Sequence, residues 1–259
     1  MKKIVHLSLM LTAMAFCFGH GSAANAQKRA SSRNIEGAWQ IAELQGKPVE
    51  TGEEIPYVNF NLVKKSMNGF AGCNYIHGSF QLNAKKRHLQ FGAVASTRMA
   101  CPHLELESKV LLLLQQTASY RVEAPQDAND RLTLLAQDGS VLMKLARMMP
   151  LDGRWTVSKV YDAPVPEESE VFLVFNSTQN MVYGNLGCNT YNASLEYNPQ
   201  KKSLVKFGNG LTTLRLCEEM ETESQLLKAF QDIVSYKKFS DHKAILCDTG
   251  GKVLVELTR

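Results

Sequence analysis

Landmark residues in the first half of the chain recur in the second half, in the same order. Gly37-Ala38-Trp39 returns as Gly153-Arg154-Trp155, and Gly72-Cys73-Asn74 returns as Gly187-Cys188-Asn189. Self-similarity at a fixed spacing indicates that each repeat is one structural unit. The duplication therefore constrains this chain to two copies of one small fold rather than one large domain.

Single residues extend the match along both halves. The further matched pairs are Phe91 and Phe207, Cys101 and Cys217, Glu105 and Glu221, Glu107 and Glu223, Tyr120 and Tyr236, and Arg147 and Arg259. A length of 259 residues accommodates two small domains. We predict domain 1 over residues 35–147 and domain 2 over residues 151–259, with residues 148–150 as the linker.

Most of each copy shows the short alternating segments that are typical of strands, separated by Gly, Asn, Asp and Pro turns. The strands predicted in domain 1 are Ala38–Leu44, Tyr57–Val63, Gly78–Leu82, Leu89–Val94, Arg131–Leu135 and Val141–Leu145. In domain 2 the segment from Val171 to Phe175 is apolar on both faces. This pattern predicts a strand that is covered on both sides.

One segment in each copy, residues 104–118 and 221–234, has apolar residues at helical spacing. Acidic residues in the first turns, among them Glu107 and Glu223, complement the helix dipole. We therefore predict a mainly β, α+β protein. It consists of two tandem small antiparallel β-barrel-like domains, each with one packed α-helix.

Residues 1–26 have the pattern of a secretory signal peptide. Lys2 and Lys3 precede a short apolar run, and Ala24 and Ala26 supply the small residues of a cleavage site. We expect cleavage after Ala26, a mobile polar leader over residues 27–34, and a periplasmic or secreted protein without a transmembrane span. Lipidation of Cys17 is the alternative, but a large Phe16 precedes that cysteine.

The charge balance argues against a nucleic-acid partner. Lys and Arg number 29 against 25 Asp and Glu, and removal of Lys2 and Lys3 would leave 27 against 25. Nucleic-acid binding proteins usually carry a basic stripe, whereas the short basic runs here are scattered between strand-like segments. We interpret these runs as solvated turns.

Two cysteines of each repeat occupy matched positions. In an exported chain this predicts the structural disulfides Cys73–Cys101 and Cys188–Cys217, with buried free thiols as the alternative. Cys247 aligns with Leu135 of domain 1, which predicts a small core residue.

Catalytic patterns are weak in this sequence. A Cys–His nucleophile is conceivable at Cys101-Pro102-His103, but the second copy has Cys217-Glu218-Glu219, so the histidine is not shared. We find no metal-binding spacing, phosphate loop or nucleophile elbow, and we expect no catalysis and no cofactor.

The repeated asparagines and tryptophans are the other notable positions. Asn74 and Asn189 either contact a ligand or partner, or satisfy backbone groups of their own turns. Trp39 and Trp155 are interpreted as core anchors.

Two ordered motifs resemble those of the META (HslJ-like) domain family. Gly72-Cys73-Asn74 with Gly78 and Phe80 resembles the first motif, and Thr97–Cys101 followed by Glu107 resembles the second. Domain 2 departs further from the pattern, because Arg215-Leu216 replaces Met99-Ala100. The resemblance implies a small barrel-like fold with a helix, a bacterial envelope setting, an association with stress responses and no established catalysis.

The sequence therefore favours an exported non-enzymatic envelope module that binds an unidentified envelope protein or an apolar ligand in envelope stress tolerance. One alternative is a carrier that encloses a lipid-like ligand within each curled sheet. Another is a thiol-dependent enzyme or redox protein.

Overall fold

A computed structural model describes residues 35–101, 104–123, 130–197, 203–217 and 220–259. The expected signal peptide, the leader over residues 27–34 and Cys17 lie outside these ranges, as do Pro102 and His103. Within the described ranges the chain forms two antiparallel sheets, and one helix lies in the connection between two strands of each sheet.

Domain 1 is a single antiparallel sheet with one helix. Its strands are β1 (Gly37–Leu44), β2 (Lys47–Pro48), β3 (Tyr57–Asn61), β4 (Ser66–Phe70), β5 (Tyr75–Asn83), β6 (His88–Ser96), β7 (Ser119–Glu123), β8 (Arg131–Leu135) and β9 (Val141–Arg147). Strand β1 pairs with both β2 and β3, strands β3 to β9 then pair in chain order, and β1 also pairs with β9. This extra pairing closes the sheet into a barrel.

The seam between β6 and β7 is the weakest part of this barrel. Only His88 and Ser119 form a strand pair there, supported by hydrogen bonds from Leu89 N to Ala118 O and from Tyr120 N to Arg87 O. Helix α1 (Leu104–Gln116) lies in the connection between these two strands. It buries Val110, Leu113 and Leu114 against the barrel core.

Domain 2 repeats this plan. Its strands are β10 (Gly153–Val160), β11 (Ala163–Pro164), β12 (Phe172–Asn176), β13 (Met181–Asn185), β14 (Thr190–Tyr197), β15 (Val205–Phe207), β16 (Leu211–Thr212), β17 (Ser235–Ser240), β18 (Lys243–Cys247) and β19 (Val253–Thr258). A short 3-10 helix spans Glu167–Ser169. Helix α2 (Glu221–Asp232) buries Leu226, Ala229 and Phe230.

In the second barrel, β10 pairs with β19 as β1 pairs with β9 in the first. Two hydrogen bonds also match those that support the seam between β6 and β7. Val205 N donates to Val234 O, and Tyr236 N donates to Ser203 O, across the ends of the sheet. The predicted fold class is thus confirmed: each repeat is an antiparallel, barrel-like sheet with one packed helix.

Both tryptophans anchor their cores, as predicted. Trp39 and Trp155 are fully buried, and their indole N–H groups donate to Ile35 O and Leu151 O at 2.9 and 2.6 Å. A buried indole that keeps a hydrogen-bond partner adds apolar contact without an unsatisfied donor. Cys247 is also buried, as its alignment with Leu135 predicted.

Both helices end earlier than predicted. The expected ends were residues 118 and 234, but α1 ends at Gln116 and α2 at Asp232. The last residues of the apolar pattern instead join the barrel, because Ala118 N donates to Leu135 O and Val234 N donates to Cys247 O. Strands β2, β4 and β7 of domain 1 were not predicted.

Strand β12 packs on both faces, as its sequence predicted. Its inner face joins the domain 2 core, while Phe172 and Val174 contact Ile55 of domain 1. The Tyr183 hydroxyl donates to Gly52 O at 2.7 Å, and Arg154 pairs with Glu53 at 3.4 Å. The loop that precedes β3 therefore covers the outer face of domain 2's sheet.

Candidate functional site

The repeated Gly-Cys-Asn motif forms the turn between two neighbouring strands in each barrel. Gly72 and Gly187 have φ values of +101° and +103°, a backbone region that residues with a β-carbon rarely adopt. The glycine bends the chain so that the following Asn side chain enters the interior. Asn74 and Asn189 are each 1% exposed.

In domain 1 the Asn74 amide joins the second motif to the helix. Its Oδ1 accepts hydrogen bonds from Met99 N at 2.8 Å and from the Thr97 hydroxyl at 2.7 Å. Its Nδ2 donates to Glu107 Oε2 at 2.7 Å and to Met99 O at 3.2 Å. Both ends of the amide are therefore occupied within the protein.

Domain 2 reproduces the arrangement. Asn189 Oδ1 accepts from Arg215 N at 2.8 Å and from the Thr213 hydroxyl at 2.7 Å. Its Nδ2 donates to both carboxylate oxygens of Glu223, at 3.0 and 3.1 Å, and to Arg215 O. We call each set, Asn74 with Thr97, Met99 and Glu107 or Asn189 with Thr213, Arg215 and Glu223, the polar cluster of its domain.

The clusters change the interpretation of the acidic residues. Glu107 and Glu223 do lie in the first helical turns, but they are only 5% and 4% exposed and accept hydrogen bonds from the asparagines. Their repetition at matched positions was visible in sequence, whereas their contact with Asn was not. The hydroxyls of Thr97 and Thr213 were also missed as members of the site.

A disulfide lies beside each cluster. Cys73 bonds Cys101 and Cys188 bonds Cys217, with Cα separations of 5.8 and 5.9 Å. Both predicted pairings are present. Each bond ties the Gly-Cys-Asn turn to the segment before the helix. Because these sulfurs are oxidised, neither pair supplies a thiolate nucleophile in this state.

Cys247 is the free cysteine among the described residues. Burial raises the pKa of its thiol, and the nearby Asp248 carboxylate acts in the same direction. A raised pKa lowers the thiolate fraction, and the thiolate is the reactive form. The position therefore suits packing better than nucleophilic chemistry.

The two domains differ at the surface around their disulfides. In domain 1, Cys73 is 3% exposed, and a β-carbon at Gly72 would lie 2.6 Å from Leu106 Cδ2. In domain 2, Thr222 occupies the position of Leu106, and Cys217 is exposed. A cleft of about 370 Å³ opens there, lined by Ser169, Val171, Leu186, Gly187, Cys188, Cys217 and Thr222.

Exposed leucines follow in the same part of domain 2. Leu211, Leu214 and Leu216 have exposed fractions of 79%, 94% and 94%. Domain 1 has Ala95, Arg98 and Ala100 at the matched positions. The same scaffold thus carries an apolar surface segment in one copy only.

Neither helix of the described ranges has the length and apolarity needed to cross a bilayer. In the same ranges, no group of three or more His, Cys, Asp or Glu side chains is arranged to hold a metal ion.

Solved structures with some similarity cover about one domain of this chain. A protein from Burkholderia xenovorans is 19% identical, with a TM-score of 0.37, over 55% of this chain and 99% of that protein. A DUF4847 family protein from Bacteroides vulgatus is 12% identical, with a TM-score of 0.34, over 44% of this chain and 94% of that protein. No curated protein sequence matches the chain.

The family comparison covers both halves. The model of the META domain matches residues 33–149 and again residues 148–259. These two matches span both barrels, both polar clusters and both disulfides. The chain therefore belongs to the META domain family, of which it carries two tandem copies.

Proposed function

We propose that the protein is an exported, non-enzymatic module of the bacterial envelope that binds an extended segment of a partner protein along residues 211–216 of domain 2. The observation that carries this proposal is the exposure of Leu211, Leu214 and Leu216 on one short segment. Three exposed leucines within six residues make this segment apolar, and exposed apolar surface often marks an interaction site.

The backbone of this segment supports an extended peptide as the occupant. The N–H groups of Thr213 and Arg215 donate inward, to Thr190 O and Asn189 Oδ1. Alternate residues of an extended chain direct their backbone groups to the opposite edge. Leu211 and Thr212 form β16, which among the described strands pairs with β14 alone, so its other side is a sheet edge open to strand addition.

Two further features support the non-enzymatic envelope setting. The disulfides are bonds that form and persist in oxidising compartments outside the cytoplasm. The repeated polar groups bond one another in the interior, so the shared motif acts as scaffold rather than as a reactive centre. A role in envelope stress tolerance follows as the working expectation for such a module.

The other two functions have less support. The barrel interiors are occupied by large side chains such as Trp39, Phe60, Trp155 and Phe175, all at most 1% exposed, which does not favour an enclosed lipid-like ligand. A thiol enzyme would need an accessible thiolate, and the described thiol, Cys247, is buried.

A photo-cross-linking amino acid at Thr212 would test the binding surface in the native envelope. We expect a discrete adduct that disappears in the double variant Leu214→Arg with Leu216→Ala. These changes install the residues that domain 1 already carries at the matched positions, so the fold should be retained. Leu112→Ala, at an exposed leucine of α1, is the matched control. An adduct that persists in the double variant would overturn the proposal.

A further inference from the structure

The two disulfides differ in their accessibility to an attacking thiolate. The Cys73–Cys101 bond lies beside Leu106, whose side chain covers Gly72, and Cys73 is buried. The Cys188–Cys217 bond borders the cleft that remains where domain 2 has Thr222 in place of Leu106. Thiol–disulfide exchange requires direct access of the attacking sulfur to a disulfide sulfur. Cys101 and Cys188 are both half-buried, so the contrast lies between the buried Cys73 and the exposed Cys217. The disulfide of domain 2 is therefore the more accessible of the two.

We propose that Cys188–Cys217 is a redox-modification site that exchanges with a protein dithiol, whereas Cys73–Cys101 is a permanent structural bond. The proposal is independent of partner binding by the leucine segment.

The exchange proceeds in two balanced steps. A thiolate of the partner dithiol attacks Sγ of the exposed Cys217, and the bond to Cys188 breaks. Cys188 leaves as a thiolate and takes a proton from water. The second partner thiolate then attacks the mixed disulfide, so that Cys217 leaves as a thiolate and is protonated. Two electrons pass from the dithiol to domain 2, and the two partner sulfurs become joined in a new disulfide.

Domain 2 has contacts that hold its fold after reduction. Asn189 bonds Thr213, Arg215 and Glu223 without using either sulfur. The core around Trp155, Phe175 and Phe230 is likewise separate from the bond. Reduction would therefore release the link between the turn and Cys217 while the barrel stays closed, which makes the change reversible.

A reduction time course on the oxidised exported chain tests the difference in access. The protein is incubated with a thioredoxin-like dithiol protein, alkylated at intervals and analysed by peptide mass spectrometry. We expect Cys188 and Cys217 to be labelled at least about tenfold faster than Cys73 and Cys101, because exposure governs exchange. Equal labelling rates in the two domains would overturn the proposal.

Reciprocal substitutions test the role of the cleft. Thr222→Leu should fill it and slow reduction of domain 2, while Leu106→Thr should open domain 1 and speed its reduction. Ser224→Leu and Leu112→Thr are matched controls, because both residues are exposed on the same helices. Unchanged rates in both cleft variants would exclude the cleft as the access route and refute the proposed site.

Two further readouts separate a modification site from simple loss of structure. A dithiol protein that lacks its second cysteine should be trapped on Cys217, and trapping on Cys73 or Cys101 instead would contradict the assignment. Circular dichroism of the reduced protein should retain the folded spectrum. Unfolding of domain 2 on reduction would make its disulfide structural and overturn the proposal.

Discussion

The guanidinium carbon of Arg147 lies 4.0 Å from the centre of the Trp39 ring. Arg259 lies 3.9 Å from the Trp155 ring in the same way. Each arginine also donates to a backbone carbonyl just before its first strand, Glu36 O at 2.8 Å and Asp152 O at 2.5 Å. In each domain, the arginine therefore links the last strand to the start of the first strand, where the barrel closes.

Replacement of Arg147 by Ala should lower the free energy of unfolding of domain 1 by about 1–3 kcal/mol, because a cation–π contact and charged hydrogen bonds are lost. Arg147→Lys should lower the free energy of unfolding by less, because lysine keeps the positive charge although it lacks the planar guanidinium. Urea unfolding followed by Trp39 fluorescence in a Trp155→Phe background measures both. Arg121→Ala, at an exposed ion pair, should change stability by less than about 0.5 kcal/mol. Equal losses at Arg121 and Arg147 would contradict this account.

Asn74→Ala should destabilise domain 1 by about 2–4 kcal/mol, because the Glu107 carboxylate would stay buried without its amide donor. Asn189→Ala should act likewise on domain 2. Chemical denaturation with the tryptophan of each domain as reporter gives the two values. Asn192→Ala is the control, since Asn192 is exposed on β14. A loss no larger than that of the control would show that the amide is dispensable.

Ile55→Asp should uncouple the two domains, because it places a charge between Phe172 and Val174. Trp39 and Trp155 are the two tryptophans of the chain, so single Trp→Phe variants report each domain separately. We expect the two thermal midpoints to move apart in the Ile55→Asp protein. Val63→Asp, at a 92% exposed position, should leave them unchanged. Unaltered midpoints in Ile55→Asp would mean that the contact adds little stability.

Asp152 should make the protein less stable as the pH rises towards neutrality. Burial raises the pKa of this carboxyl from 3.8 to about 7, although hydrogen bonds from Ser177 and Met149 lower it. At a pH between 3.8 and about 7, the folded protein keeps a proton on Asp152 that the unfolded chain releases. The stabilisation from this proton is therefore complete below pH 3.8. It is lost as the pH rises through about 7, with a slope of at most about 1.4 kcal/mol per pH unit.

Unfolding measured from acidic to neutral pH tests this dependence. Asp152→Asn should abolish the slope, because the amide does not titrate in this range. Asp162→Asn, at an exposed position, should retain it. A slope that persists in Asp152→Asn would assign the pH dependence to another group.

The duplication made the fold predictable, because a match between two copies identifies positions that a single copy leaves ambiguous. Local patterns were less informative. Strand β4 contains Asn68-Gly69, which resembles a turn, but Gly69 lies in a strand directly against the Tyr57 carbonyl, where a β-carbon would clash. The apolar period of α1 also continued past its end, because Ala118, which directly precedes β7, hydrogen-bonds to Leu135 and Leu89 of the barrel.

The candidate site was predictable in its residues and not in its contacts. Asn74, Glu107 and both cysteine pairs were visible as repeated landmarks. A carboxylate in a first helical turn satisfies the helix dipole whether it faces solvent or an amide, so sequence alone does not distinguish the two. The cleft of domain 2 depends on the difference between Leu106 and Thr222. The sequence shows this difference, but only the structure shows that both side chains lie beside the Gly-Cys-Asn turn.

The outer face of β12 distinguishes the second copy from the first. Domain 2 presents Phe172 and Val174 there, whereas domain 1 presents Tyr57 and Asn59 at the corresponding positions of β3. The outer face of β3 is thus the more polar one, as in the cap of a repeat array, whereas the outer face of β12 is apolar and is covered by Ile55 of the first copy. Exchanging the order of the copies would leave that surface in water, so the duplicated domains are no longer interchangeable.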